Sequence, residues 1–324
     1  LKLENNLQLA GAVNEKIQSG LDDRAVQLKS DREFRTDVQV SLDRQEERSA
    51  RQVDQLVESL LRSYDKVTGT YTAELSEGLS FFTLLGKSFK SIFNKQESAQ
   101  NWVNDLTQRL EKDLKQQFDQ ELNEGVDDIA ESIQQMARII DLKIRNNPTL
   151  LTSGHEVFGD IADRRRAVLR ELQDEFAAFM KRTDEFVGAE AFPDASTFSP
   201  NLAAGSGIAT IGVILAAVTN GMALDITGGI LTSVGLLFAG VTVMSKRNKI
   251  IGGFKNEIAK GREQLKTEID TRLKDYIRNI KSKIDGKFAD FDALLTVETE
   301  QLNALNARHD SIDQQLGEMR ENLV

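Results

Sequence analysis

The residues best suited by type to do chemistry are Lys87 and the two histidines, His155 and His309. Gly86-Lys87-Ser88 has the ending of a phosphate-binding loop, in which backbone N–H groups and a lysine cradle phosphate. That loop needs a glycine five residues before its last glycine, where this chain has Phe81, and it needs a strand ahead of it. An amphipathic helical pattern stands there instead, so nucleotide binding at Lys87 is not expected. The histidines have no partner at ligand spacing, which argues against a metal site and against His-based catalysis. Carboxylates are plentiful but fall on the polar faces of helical patterns. No cysteine is present, so disulfide and thiolate chemistry are excluded and a cytosolic home is permitted. No catalytic, cofactor-binding or metal-ligating residue is expected.

The chemistry that remains is partitioning between water and lipid. From Leu202 to Ser245 the chain carries one charge, Asp225. Its two arms, Leu202–Thr219 and Ile230–Ser245, would each be about 24–27 Å long as helices, just short of a ~30 Å hydrocarbon core. They are apolar all round, so protein or lipid must enclose them. Small residues four apart, Gly212/Ala216 and Gly235/Ala239, would let the arms pack closely. Asn220-Gly221 and the Asp225–Gly229 stretch supply turn and cap chemistry. The expected membrane-binding residues are Ile211, Val213, Ile214, Leu215, Leu224 and Ile226 around the first arm and turn. On the second arm they are Ile230, Leu231, Leu236, Leu237 and Phe238. Lys246, Arg247 and Lys249 follow, where cations can meet lipid phosphate. Arms this short favour a dip into one leaflet, or a tilted span of a locally thinned bilayer, over a full crossing; a shallow dip is consistent with Asp225 or Thr227 capping the second arm.

Helices must position that hairpin, because no strand alternation occurs and three prolines, Pro148, Pro193 and Pro200, leave most of the chain uninterrupted. Apolar stripes at three-four spacing run through Val53–Val67, Trp102–Ile140, Val168–Phe179, Ile258–Ile284 and Phe288–Met319. Phe81–Phe93 reads as a short amphipathic segment with its phenylalanines on one side and Lys87 and Lys90 opposite. Asn146-Asn147-Pro148 ends one helix, a further helix spans roughly Glu156 to Val187, and Gly188–Pro200 is the clearest linker. The expected fold is all-α, an elongated bundle of long helices with a hydrophobic hairpin. The divisions are 1–200, helical neck and trunk; 201–249, hairpin; and 250–324, returning helices. Gly69, Gly78, Gly188, Gly252 and Gly253 are candidate hinges between helical segments.

With a net charge of −10 at pH 7, general nucleic-acid binding is not expected. The chain begins at Leu1 and shows no basic-then-apolar leader, so it reads as a fragment or a processed product.

The chain resembles the helical stalk of bacterial dynamin-like proteins, the group related to mitofusins. The resemblance rests on Leu224-Asp-Ile-Thr-Gly-Gly-Ile-Leu, the apolar arm after it and Lys246-Arg247-Asn-Lys249. It continues in Phe288-Ala-Asp-Phe-Asp-Ala-Leu-Leu, the Leu-rich helix Leu302–Leu323, and Phe81–Phe93 preceding a Trp102-containing helix. It implies a neck and trunk with a membrane-binding paddle, homo-oligomerisation, a paralogous dynamin-like partner, and a cytoplasmic location at a membrane surface. It also implies a GTPase domain elsewhere, with its GTP and Mg; no GTPase motif stands in this chain, and no cofactor is expected in it. The alternative reading is an α-helical pore-forming toxin subunit, similar to the cytolysin A type, that conceals its hairpin until it meets a membrane.

Overall fold

A computed structural model describes residues 2–88, 95–146, 159–181 and 247–322. Among these the architecture is all-helical, without a strand. The helices are α1 (Lys2–Ser88), α2 (Lys95–Arg145), α3 (Gly159–Lys181), α4 (Arg247–Gly286) and α5 (Ala289–Glu321). They form two compact units. Of the described residues, unit 1 takes 2–46, 134–146, 159–181 and 280–322, and unit 2 takes 47–88, 95–133 and 247–279. Both units therefore mix helices from before residue 182 with helices from after residue 246.

Unit 2 is a three-helix arrangement. The apolar stripes of α1 (Leu60, Tyr64, Leu75, Leu79), α2 (Leu106, Leu110, Leu114, Phe118) and α4 (Ile250, Phe254, Leu265, Ile269) are buried against one another. Polar pairs fix α2 antiparallel to α1: Ser49–Ser132 at 2.8 Å, Ser63–Glu121 at 2.9 Å and Tyr71–Asp113 at 2.7 Å. Arg262–Asp65 and Lys274–Asp54 run α4 antiparallel to α1 in the same way. The Tyr64 ring stacks on Phe118 at 6.5 Å and its hydroxyl donates to the Ile258 carbonyl at 2.8 Å.

Unit 1 joins α1 to α5, with the end of α2 and all of α3 laid alongside. Leu169, Leu172 and Phe176 bury one face of α3. Arg165 of α3 forks onto both oxygens of Asp31 at 2.6 and 2.8 Å, with both side chains nearly inaccessible to solvent. Buried beside it, Arg24 faces Glu298 at 3.9 Å. A break of two residues separates α4 from α5. There the Lys287 and Phe288 N–H groups close turns onto Ile284 and Asp285, and Phe288 is fully buried against Phe34, with ring centroids 6.4 Å apart.

Three sequence expectations are corrected. Gly69 and Gly78 do not separate helical segments, because α1 runs through both to Ser88. Gly252 and Gly253 likewise lie within α4. Each interior glycine costs about 1 kcal/mol of helix propensity, less than the burial of the large neighbours Leu75, Leu79, Ile250 and Phe254 contributes. Phe81–Phe93 is not a separate segment at its start, since Phe81 continues α1. The helix expected over Glu156–Val187 is described over Gly159–Lys181; Gly188 lies outside the described residues.

Candidate functional site

One end of unit 2 gathers the described residues that stand nearest in sequence to the apolar stretch 202–245. Helix α4 starts at Arg247, two residues after Ser245, where the uncharged stretch 226–245 ends. Two turns of α4 then bury Ile250 and Phe254. Arg247 does not extend freely into solvent. Its Nη2 donates to the Ser76 carbonyl at 3.1 Å and to the Ser76 Oγ at 3.0 Å, tying the start of α4 to α1. Lys249, two residues on, remains exposed. Five residues past Ser76, Phe81 stands on α1 with its ring 59% exposed, beyond the buried Leu75 and Leu79.

Helix α2 completes this end. Gly78 faces Trp102, and a Cβ built on Gly78 would come within 2.2 Å of the indole ring. The absence of a side chain is what lets the chain's single tryptophan lie against α1. One to two turns further along, Arg109 grips both Glu74 oxygens at 2.6 and 3.2 Å, and its guanidinium lies 5.8 Å from the Tyr71 ring centroid. Burial, followed by its hydrogen bond to Asp113, pushes the Tyr71 hydroxyl up to about 12, so it stays a donor. These contacts bind α1, α2 and α4 into a braced platform on which Phe81 and Lys249 are presented.

The remaining sequence-derived site residues fall as follows. Ile211, Val213, Ile214, Leu215, Leu224, Ile226, Ile230, Leu231, Leu236, Leu237, Phe238 and Lys246 lie outside the described residues, as does His155. Gly86-Lys87-Ser88 ends α1 with no strand before it. His309 is buried in unit 1, its Nε2 3.3 Å from the Asn14 carbonyl. Among the described residues no group of three or more His, Cys, Asp or Glu is placed to hold a metal, and no helix is long and apolar enough to cross a membrane. Sequence reasoning missed Ser76 as the partner of Arg247. Its only signal is a serine beside a buried stripe, with Ser80 one turn on donating to the same carbonyl at 2.8 Å.

Comparison of the chain with protein-family models, with curated proteins and with solved structures returned no match.

Proposed function

We propose that this chain is a membrane-docking helical stalk, the part of a dynamin-like membrane-remodelling protein that carries its lipid-binding paddle. The observation that supports this reading is the Arg247–Ser76 contact. The two stretches of sequence most suited to lipid, 202–245 and the phenylalanine-rich 81–93, both border that contact: one ends two residues before Arg247, and the other starts five residues after Ser76. On this reading Phe81 and the hairpin residues enter the bilayer, Lys249 and Lys246 meet headgroup phosphate, and Arg247 anchors the hairpin's exit to α1. The helical units transmit force between the membrane and the rest of the assembly, and GTP hydrolysis belongs to a separate domain.

The test is co-sedimentation of the chain with anionic phospholipid vesicles, beside the variant Leu236→Glu/Phe238→Glu. A carboxylate near mid-bilayer costs about 2.5–3.5 kcal/mol on insertion scales, so two should leave the variant in the supernatant. Equal sedimentation of the two proteins, or loss of helical circular dichroism in the variant, would instead mean that the hairpin is enclosed by protein.

A further inference from the structure

Charge is divided unequally among the three helices of unit 2. Residues 247–279 of α4 carry nine Lys and Arg against five Asp and Glu, whereas residues 95–133 of α2 carry four against ten. The α1 part of the unit, 47–88, is nearly balanced at five against six. The α4 excess is concentrated at its start, where six cations stand against two carboxylates over 247–266. Among the described residues, Lys249, Lys255 and Lys266 are exposed and make no ion pair. The cations of α4 that face α1 are matched instead: Arg262 is held by Asp65, and Lys274 by Asp54 and Asp270.

We propose that unit 2 lies against an anionic phospholipid surface on its α4 side, with Lys255 and Lys266 joining Lys249 at the headgroups and the acidic α2 turned to water. The proposal rests on the membrane-docking reading and adds an orientation and a lipid charge class to it. Three observations select that partner. First, the basic run starts two residues after the uncharged stretch 226–245 ends, so a bilayer that receives that stretch meets these lysines next. Second, no large apolar side chain is exposed on α4 among the described residues. A protein partner would need such an anchor, whereas a headgroup surface is recognised by charge. Third, the acidic helix belongs to the same unit, and three helices around one core point their solvent faces in different directions. A planar anionic surface can therefore take the α4 face while α2 stays clear of it. Each lysine brought to such a surface strengthens binding by about fivefold.

Tyr64 supplies a ruler for the test. Its ring stacks on Phe118 of α2 and its hydroxyl donates to the Ile258 carbonyl of α4, so these two residues lie at one level of the unit. Ala259 and Gln120, both exposed, flank that level on α4 and α2. The chain has no cysteine, so Ala259→Cys and Gln120→Cys each take a single donor dye. On vesicles rich in phosphatidylserine with an acceptor on the headgroups, transfer from position 259 should be at least about twofold that from 120, since helix axes lie ~8–10 Å apart. A unit standing on its end would give equal transfer, and that result would overturn the proposal. Lys255→Glu/Lys266→Glu should weaken binding to the same vesicles by at least about twentyfold, with helical content unchanged. Lys112→Glu/Lys115→Glu, the same charge change at exposed positions of α2, should weaken it far less. Equal loss in the two lysine variants would also overturn the α4 orientation, while leaving membrane docking intact if Leu236→Glu/Phe238→Glu still abolishes binding. Vesicle binding that this last variant does not reduce would instead remove the docking reading, and this proposal with it.

Discussion

Arg35 of α1 holds Asp292 of α5 through both carboxylate oxygens, at 2.7 Å from Nε and 2.9 Å from Nη2. The same Nη2 reaches Asp285, at the end of α4, at 2.8 Å, and the guanidinium lies 4.9 Å from the centroid of the Phe288 ring between them. One side chain therefore spans the break between α4 and α5, which has no side-chain cap of its own at Phe288. Arg35→Met should lower unit 1 stability by about 1–3 kcal/mol in urea unfolding, as expected for charge-assisted bonds in a half-buried setting. Arg35→Lys should recover only part of that, because an ammonium cannot fork. A methionine variant within about 0.5 kcal/mol of the parent would mean the break is held by Phe288 and Phe291 packing alone.

The Arg165–Asp31 pair differs in kind because it is sealed from water, with side chains 5% and 1% exposed. Removing one partner strands a buried charge, so Asp31→Leu should cost about 3–5 kcal/mol. Replacing both, Asp31→Leu with Arg165→Met, should return stability to within about 1 kcal/mol of the parent. A double variant no more stable than Asp31→Leu would show that the pair is not where the single substitution acts.

Glu298 gives unit 1 a pH dependence. Burial raises its carboxyl above the ordinary value of 4.5, while Arg24 and Arg165 pull it partly back. The folded protein then holds this proton more tightly than the unfolded chain. The resulting stability is fully present below pH 4.5 and is lost as pH rises from there through the raised value. Glu298→Gln removes that term, so the stability of the variant relative to the parent should climb with pH across this window. A difference that stays flat or falls in denaturant titrations from pH 4 to 7 would contradict the assignment.

Gly69 and Gly78 separate helix propensity from packing at two sites in one helix. Nothing lies within 4 Å of a Cβ at Gly69, so Gly69→Ala should stabilise unit 2 by about 0.5–1 kcal/mol. At Gly78 the Trp102 ring is 2.2 Å from the same atom, and Gly78→Ala should destabilise despite its better propensity. Trp102 fluorescence should shift in the second variant and not in the first. Stabilisation by both would remove the close approach as the reason for glycine at Gly78.

Much of the helical arrangement was legible because burial follows spacing: Leu60, Tyr64, Leu106, Leu110, Leu273 and Tyr276 all lie on the stripes that their periodicity draws. The glycines misled because propensity is a local quantity, whereas Leu75 and Leu79 hold α1 together through contacts distant in sequence. Buried charge was illegible for the same reason. Asp31, Arg24, Arg165 and Glu298 look like members of a solvated helix face until three helices close over them. At the candidate site the sequence supplied Arg247 and Lys249 as a pair of cations. Only the tertiary contact with Ser76 distinguishes the one bound to α1 from the one left in solvent.

The claim that the Arg247–Ser76 end of unit 2 docks on a membrane is tested most directly with an environment-sensitive dye on single cysteines at three positions. Phe81→Cys and Phe238→Cys report on the proposed lipid-facing elements. Glu58→Cys reports from an exposed position about 35 Å down α1 from residue 81. On adding anionic vesicles, emission from positions 81 and 238 should shift to the blue and become quenchable by brominated lipid, while emission from position 58 stays that of a dye in water. Unchanged emission at positions 81 and 238 in the presence of vesicles, or an equal shift at position 58, would contradict a membrane-docking end.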